Sequence, residues 1–257
     1  MRTLFIITST LNCERDIKNC IESVKKIKND FKLGRIHHLI ADGGSKDKTL
    51  SIIKTYIGKD LTLVSTKDTG VYDAWNKCIL HAKSVCKDNF WLNFLGSDDL
   101  LLDGFLYYLN FIFLNIDQNI NLYTAVSFYD GFKNGITIGK SLNKIKLIHS
   151  MQISNSAAIY NNILFKGNLF DTSYKICGDY DFIFRNQKQI KSKHIDCTVT
   201  FVRTGGLSVK YKKEASKETL KSALNYYRYN SRNLIMYLIV IFLNSVRIFL
   251  KRFLIKW

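Results

Sequence analysis

Two short acidic motifs carry the first chemical signal in this chain. "NFLGSDDLLL" (Asn93 to Leu102) sets Asp98 and Asp99 side by side between apolar runs. Hard carboxylate oxygens suit Mg2+ or Mn2+, ions that keep positions open for substrate phosphate oxygens. The same pair could instead cap the helix expected over "LLLDGFLYYLNFIF" and favour its dipole. "CGDYDF" (Cys177 to Phe182) supplies Asp179 and Asp181 at the head of an amphipathic stretch. Two residues apart on a helix they diverge, so one of them faces a cleft. A carboxylate aimed there at a hydroxyl acts as a general base; helix capping is again the alternative.

Further polar motifs accompany these. "DGGSKDKTL" (Asp42 to Leu50) has glycines for a tight turn, and its Asp42 can accept hydrogen bonds from a base or ribose. It is not a phosphate-binding P-loop, because the G-x-x-x-x-G-K-[ST] spacing is absent. "KDTGVYDAWNKCI" (Lys67 to Ile79) joins a helix start to Asp68, Asp73 and Asn76.

The elements that must position these residues alternate. "TLFIITS" reads as a strand, and Ile17, Cys20, Ile21, Val24 and Ile27 recur after it at helical spacing. "RIHHLIA" with "KDKTLSIIKTYI" and "LTLVS" with "VYDAWNKCILHAKSV" repeat the order, and "NFWLNFL" adds a fourth strand. Such units predict an α/β fold with a mainly parallel sheet flanked by helices. Ligands bind such sheets beyond the carboxyl ends of the strands, where "DGGSKD", "KDTG" and "GSDD" all fall. After Leu114, "LYTAVSFYDGFKNGITIG" reads as a hairpin and predicts a small antiparallel extension; "HIDCTVTFV" is a later strand.

Composition bounds the rest. The 257 residues suffice for a large domain with an appendage, and 38 Lys+Arg against 21 Asp+Glu give a formal charge of +17. That excess attracts polyanions, anionic lipid or phosphorylated small molecules, although a lysine- and asparagine-rich coding bias produces it too. Six cysteines without a C-x-x-C pair or a histidine cluster indicate neither a zinc site nor a disulfide framework. "MRTLFIITST" reads as a buried first strand rather than a secretory signal, which places the catalytic portion in the cytoplasm.

In their order, "TSTLN", "DGGSKDKTL", "DTGVYDAWNKCI", "LGSDD", "FDTSYKICGDYDFIFR" and "RTGGLS" resemble the inverting family 2 glycosyltransferases with the Rossmann-like GT-A fold. The bacterial cell-surface polysaccharide enzymes are the nearest type, and the resemblance runs from about Thr3 to Ser208. It implies a nucleoside-diphosphate sugar donor, UDP being the commonest nucleotide, and direct displacement at the anomeric carbon. Carried over, it puts Thr8, Asn12, Asp42 and Asn76 around the nucleotide, with Asp68 and Ser97 as further donor contacts. Asp98 matches the last acid of the family's metal-binding D-x-D, with Asp99 beside it, and the metal is Mn2+ or Mg2+. Asp179 matches the catalytic base, Asp181 and Arg185 orient it or touch substrate, and Gly205 and Gly206 lie in a loop that closes near the diphosphate. Two departures stand out: Gly96 replaces the first aspartate of the D-x-D, and Asn155-Ser156 stands where many relatives have His-Gln.

The resemblance divides the chain into a GT-A domain over residues 1–212 and a C-terminal helical segment over 213–257. The domain has a nucleotide-sugar half over about 1–115 and an acceptor half over about 116–212. In the C-terminal segment the uninterrupted apolar run Leu234 to Leu243 is shorter than the ~20 residues that span a bilayer. Asn244, Arg247 and Lys251 share a helical face beyond it, which fits a helix lying in the membrane interface; a core or dimer-interface helix and a tilted span are the other readings. Peripheral attachment to the inner face of the cytoplasmic membrane, with a polyprenyl-diphosphate-linked saccharide as acceptor, follows from the first. The rival from another class is a non-catalytic sugar-nucleotide or glycan-binding module. A nucleic-acid partner is disfavoured, because no recognition motif is present and acids cluster where that role needs bases.

Overall fold

The computed structural model describes residues 2–131, 135–143, 147, 151–229, 239 and 242. Four parallel strands form its first half: β1 (Thr3–Thr10), β2 (Arg35–Asp42), β3 (Leu61–Ser65) and β4 (Phe90–Phe94). Between them run α1 (Ile17–Asp30), α2 (Thr49–Lys54) and α3 (Val71–Val85). β1 and β4 are near-continuous apolar runs because helices cover both faces of the sheet.

A two-residue strand, β5 (Leu100–Leu101), and α4 (Asp103–Leu114) lead into the second half. There β6 (Leu122–Tyr129) pairs with β7 (Ile136–Ile138) as the expected antiparallel hairpin, and β8 (Ala158–Asn161) joins β6 to β4. α5 (Gly178–Asn186), β9 (Ser192–Val202), α6 (Leu207–Lys210) and α7 (Lys212–Tyr229) complete the order. The path across the sheet is β3-β2-β1-β4-β8-β6-β9-β5, with β7 on β6. Strand order therefore reverses beside β1, with β2 on one side and β4 on the other, and the crevice beyond their carboxyl ends is where such sheets take ligands.

α1 and α4 bury Val24, Ile27, Phe105, Leu109 and Phe113 on one face of the sheet. On the other face α3 and α5 bury Trp75, Ile79 and Phe182, and Ala223 and Tyr227 of α7 join the same core. α7 thus packs on the body of the fold. Among the described residues no helix is long and apolar enough to cross a membrane; the expected C-terminal amphipathic helix lies almost wholly outside them.

Candidate active site

At the carboxyl end of β1 and β2 the chain forms a hydrogen-bonded rim. Asp42 is fully buried, and its Oδ2 accepts the Gly44 and Ser45 N–H groups at 3.0 and 2.9 Å. Asn12, in the left-handed region at φ 51°, accepts the Lys46 N–H at 2.8 Å through Oδ1 and donates its own N–H to Ser45 Oγ. Asp68 reaches across from the loop after β3: its Oδ1 accepts the Gly70 N–H at 2.9 Å, and burial raises its pKa.

Beside this rim, after β4, Asp98 and Asp99 fold back over Gly96. A Cβ on Gly96 would stand 2.7 Å from Asp99 Oδ2 and 3.1 Å from Asp98 Oδ1. The missing side chain is therefore the space the two carboxylates occupy. Asp99 is only 7% exposed and accepts the Arg203 N–H at 3.1 Å. Burial first, then the Asp98 charge, push its pKa up to about 7; burial also raises that of Asp98. Two carboxylates converging on one cradle fit a divalent cation. Among the described residues no group of three potential ligand side chains exists, so such an ion would take its remaining oxygens from a ligand. The helix-cap expectation for this pair is corrected, because β5 intervenes and α4 begins after Leu102 without any side-chain cap.

A cavity of about 660 Å³ opens from this acidic pair, and both Asp99 and Asp179 line it. Asp179 stands in the first turn of α5, where its Oδ1 accepts the Tyr180 N–H at 2.8 Å and the Tyr72 hydroxyl at 3.2 Å. Burial raises its pKa above the usual aspartate value. Tyr72 comes this close because position 178 is glycine: a Cβ there would meet the tyrosine ring at 2.7 Å. The opposite wall carries linked hydroxyls, with Tyr129 OH at 3.2 Å and Ser127 Oγ at 2.6 Å from Ser154 Oγ. Asn155 also lines the cavity, and its Oδ1 accepts the buried Tyr160 hydroxyl at 2.7 Å, which turns the amide N–H groups away from that ring. Trp75 lines the same space with an indole N–H that has no partner among the described residues.

The sequence model of glycosyl transferase family 2 matches residues 5–173. The chain belongs to glycosyltransferase family 2. No curated protein sequence matches the chain, but solved structures share its fold. TarS 1–349 from S. aureus is 20% identical with a TM-score of 0.63 over 87% of this chain and 66% of that one. The same protein in complex with UDP-GlcNAc gives a TM-score of 0.65 at 18% identity, over 87% and 67% of the two chains. Glucosyl-3-phosphoglycerate synthase from Mycobacterium tuberculosis, in complex with Mn2+ and UDP, is 15% identical with a TM-score of 0.58, over 88% and 80%. The chain spans about two thirds of TarS 1–349 and 40% of the longer TarS structure. At these identities the likeness shows the GT-A fold.

The structure brings some of the expected site residues together and turns others inward. Asn12, Asp42 and Asp68 share the first rim, Ser97 to Asp99 sit on the next loop, and Asp179 faces the cavity. Thr8 is fully buried, with Oγ1 bonded to His38 Nε2 at 3.0 Å. The Asn76 amide is likewise engaged inside the fold, donating to Phe170 O at 2.8 Å and accepting the Phe170 N–H at 3.0 Å. Asp181 diverges from Asp179 as expected and is 2% exposed; it accepts Arg185 Nε at 2.6 Å and Ser222 Oγ at 2.9 Å. Arg185 reaches on to Leu169 O at 3.0 Å. Both residues therefore brace α5, the helix that carries Asp179. Gly205 and Gly206 lie exposed just beyond Arg203, whose N–H meets Asp99. Tyr129 and Trp75 were not singled out in the sequence, because an aromatic residue in an apolar run carries no sign of which wall it lines.

Proposed function

We propose that this family 2 protein is an inverting glycosyltransferase. It moves a hexose or N-acetylhexosamine from a UDP-sugar to a hydroxyl of a lipid-linked saccharide during surface polysaccharide synthesis. The observation that carries the reading is one cavity with Asp99 on one wall and Asp179 on another. In this reading the donor diphosphate lies at the first and the acceptor hydroxyl at the second. As the acceptor oxygen bonds to the anomeric carbon, its proton passes to Asp179. The bond from that carbon to the diphosphate breaks, with the electron pair leaving on the phosphate oxygen. Asp179 contributes position and basicity to the transition state. Asp98 and Asp99 would hold Mn2+ or Mg2+ when donor is bound, which would supply neutralisation of leaving-group charge. The Mn2+ in the mannosyltransferase PcManGT from Pyrobaculum calidifontis and in the synthase supports the cofactor.

The UDP and UDP-GlcNAc complexes of TarS support the donor class. Attachment to the inner face of the cytoplasmic membrane through residues 234–257 completes the reading, resting on the basic and apolar pattern of that segment. The test is a screen of nucleotide sugars for turnover with and without Mn2+, run on the wild type and on Asp98→Ala. Turnover that needs Mn2+ and is lost in the variant, with inversion at the anomeric carbon of the product by NMR, is expected. Metal-independent turnover unaffected by the substitution contradicts the cation's role, and retention of configuration contradicts the displacement.

A further inference from the structure

Asp179 is held from outside its own helix. The first four N–H groups of a helix have no partner within it, and α5 has no side-chain N-cap of its own. Its entry is closed instead by Glu218 of α7. Glu218 Oε1 accepts the Lys175 N–H at 2.8 Å, and Oε2 accepts those of Ile176 and Cys177 at 2.9 and 2.8 Å. Thr219 Oγ1, next along α7, donates to Cys177 Sγ at 3.6 Å, and Ser222, one turn beyond Glu218, donates to Asp181. Asp179 lies two residues past the last amide so held, and Tyr72 OH ties the same turn down by donating to Ile176 O at 2.7 Å.

We propose that Glu218 is a positioning residue for the general base, clamping the three amides ahead of α5 so that Asp179 stays aimed into the cavity. The inference rests on Asp179 being the base. Charge-assisted bonds from main-chain N–H groups to a carboxylate are the strong class, and three on one side chain fix the loop segment that precedes Asp179 as well as its helix. The arrangement has an electrostatic consequence. The groups that face Asp179 are Tyr72 on α3, Tyr129 on β6, Tyr160 on β8, Cys177 and Tyr180 on its own segment, and Glu218 on α7. Asp99 and Lys212 line the same cavity. Glu218 is a like charge for an ionised Asp179 and so favours its protonated form. Removing that charge favours the ionised base, and a rate that falls as the base is protonated then persists to lower pH.

Glu218→Gln is the near-isosteric test, since one amide oxygen still accepts part of the set. The full-length variant is expected to lose roughly ten- to hundredfold in kcat, keep its donor KM within about twofold, and show the acid limb of its kcat profile at lower pH. A purely structural cap would lower the melting temperature and leave kcat, measured below the lowered transition, within about twofold of the wild type. In the wild type, amide exchange at residues 175–177 is expected to be slow; exchange at the rate of an open loop overturns the clamp without any variant. Asp179→Asn, measured alongside, separates the failures. Activity in Asp179→Asn removes the base itself. An inactive Asp179→Asn beside a Glu218→Gln with wild-type kcat and an unmoved acid limb removes only the role of Glu218.

Discussion

Replacing Asn76 by alanine separates a residue that holds the protein together from one that binds nucleotide. Asn76 is 9% exposed, and both halves of its amide are engaged by the main chain of Phe170, itself 4% exposed. Alanine leaves a buried N–H and a buried carbonyl without partners. Each such group costs about 1–3 kcal/mol, so the pair costs about 2–6 kcal/mol, a large part of the ~5–15 kcal/mol that stabilises a typical domain. At about 2–4 °C per kcal/mol for a chain of this size, the melting temperature falls by about 4–24 °C. Phe170 packs against Trp75, Phe94 and Phe182, so the loosened segment lies behind the cavity wall and not at the donor rim. Urea unfolding gives the free energy, and donor KM below the lowered transition gives the binding. A melting temperature within 1 °C of the wild type, together with a tenfold higher donor KM, would refute the reasoning and return Asn76 to the nucleotide.

Three further outcomes follow from the geometry. Gly96→Ala must push the buried Asp99 carboxylate off its bond to the Arg203 N–H, at a cost of about 1–3 kcal/mol; calorimetry showing an unchanged transition would mean the acids do not fold over Gly96. Asn155→Asp removes both amide donors from a residue that lines the cavity while keeping an acceptor for the Tyr160 hydroxyl; acceptor KM should rise about tenfold or more, the effect of leaving a substrate hydroxyl unpaired, with the donor KM unchanged. Removing residues 234–257 should leave the melting temperature of the domain in place and weaken flotation with anionic liposomes, and undiminished flotation would rule out the membrane role.

The sequence carried the parallel half of the fold because β1 to β4 and their helices keep their two periods cleanly, and the acids marked the strand ends. What it concealed was tertiary. Asn76 looked like a ligand contact inside "DAWNKCI", yet it stands one turn from Tyr72 and three residues from Ile79, on the buried face of α3. That spacing was the available sign that it points inward. β5 left no periodic trace, since two residues within "DDLLLDGF" read as the start of the helix, and the cap assignment for Asp98 and Asp99 failed with it. Glu218 sits among lysines on a polar helix face 41 residues beyond Cys177, and only the packing of α7 on α5 gives it a partner. The same packing takes residues 212–229 out of the C-terminal segment's plain surface character and ties them to the turn that carries Asp179.

The base is the centre of the account, and Asp179→Asn tests it most directly. Asparagine keeps the shape and the Tyr72 contact but cannot take the acceptor's proton. Transfer from the donor identified by the nucleotide-sugar screen, measured at saturating acceptor and neutral pH, should fall by about 10²–10⁴ in kcat, the usual contribution of a general base. Donor affinity by calorimetry should be unchanged. A variant that still transfers within tenfold of the wild-type rate would contradict the central claim.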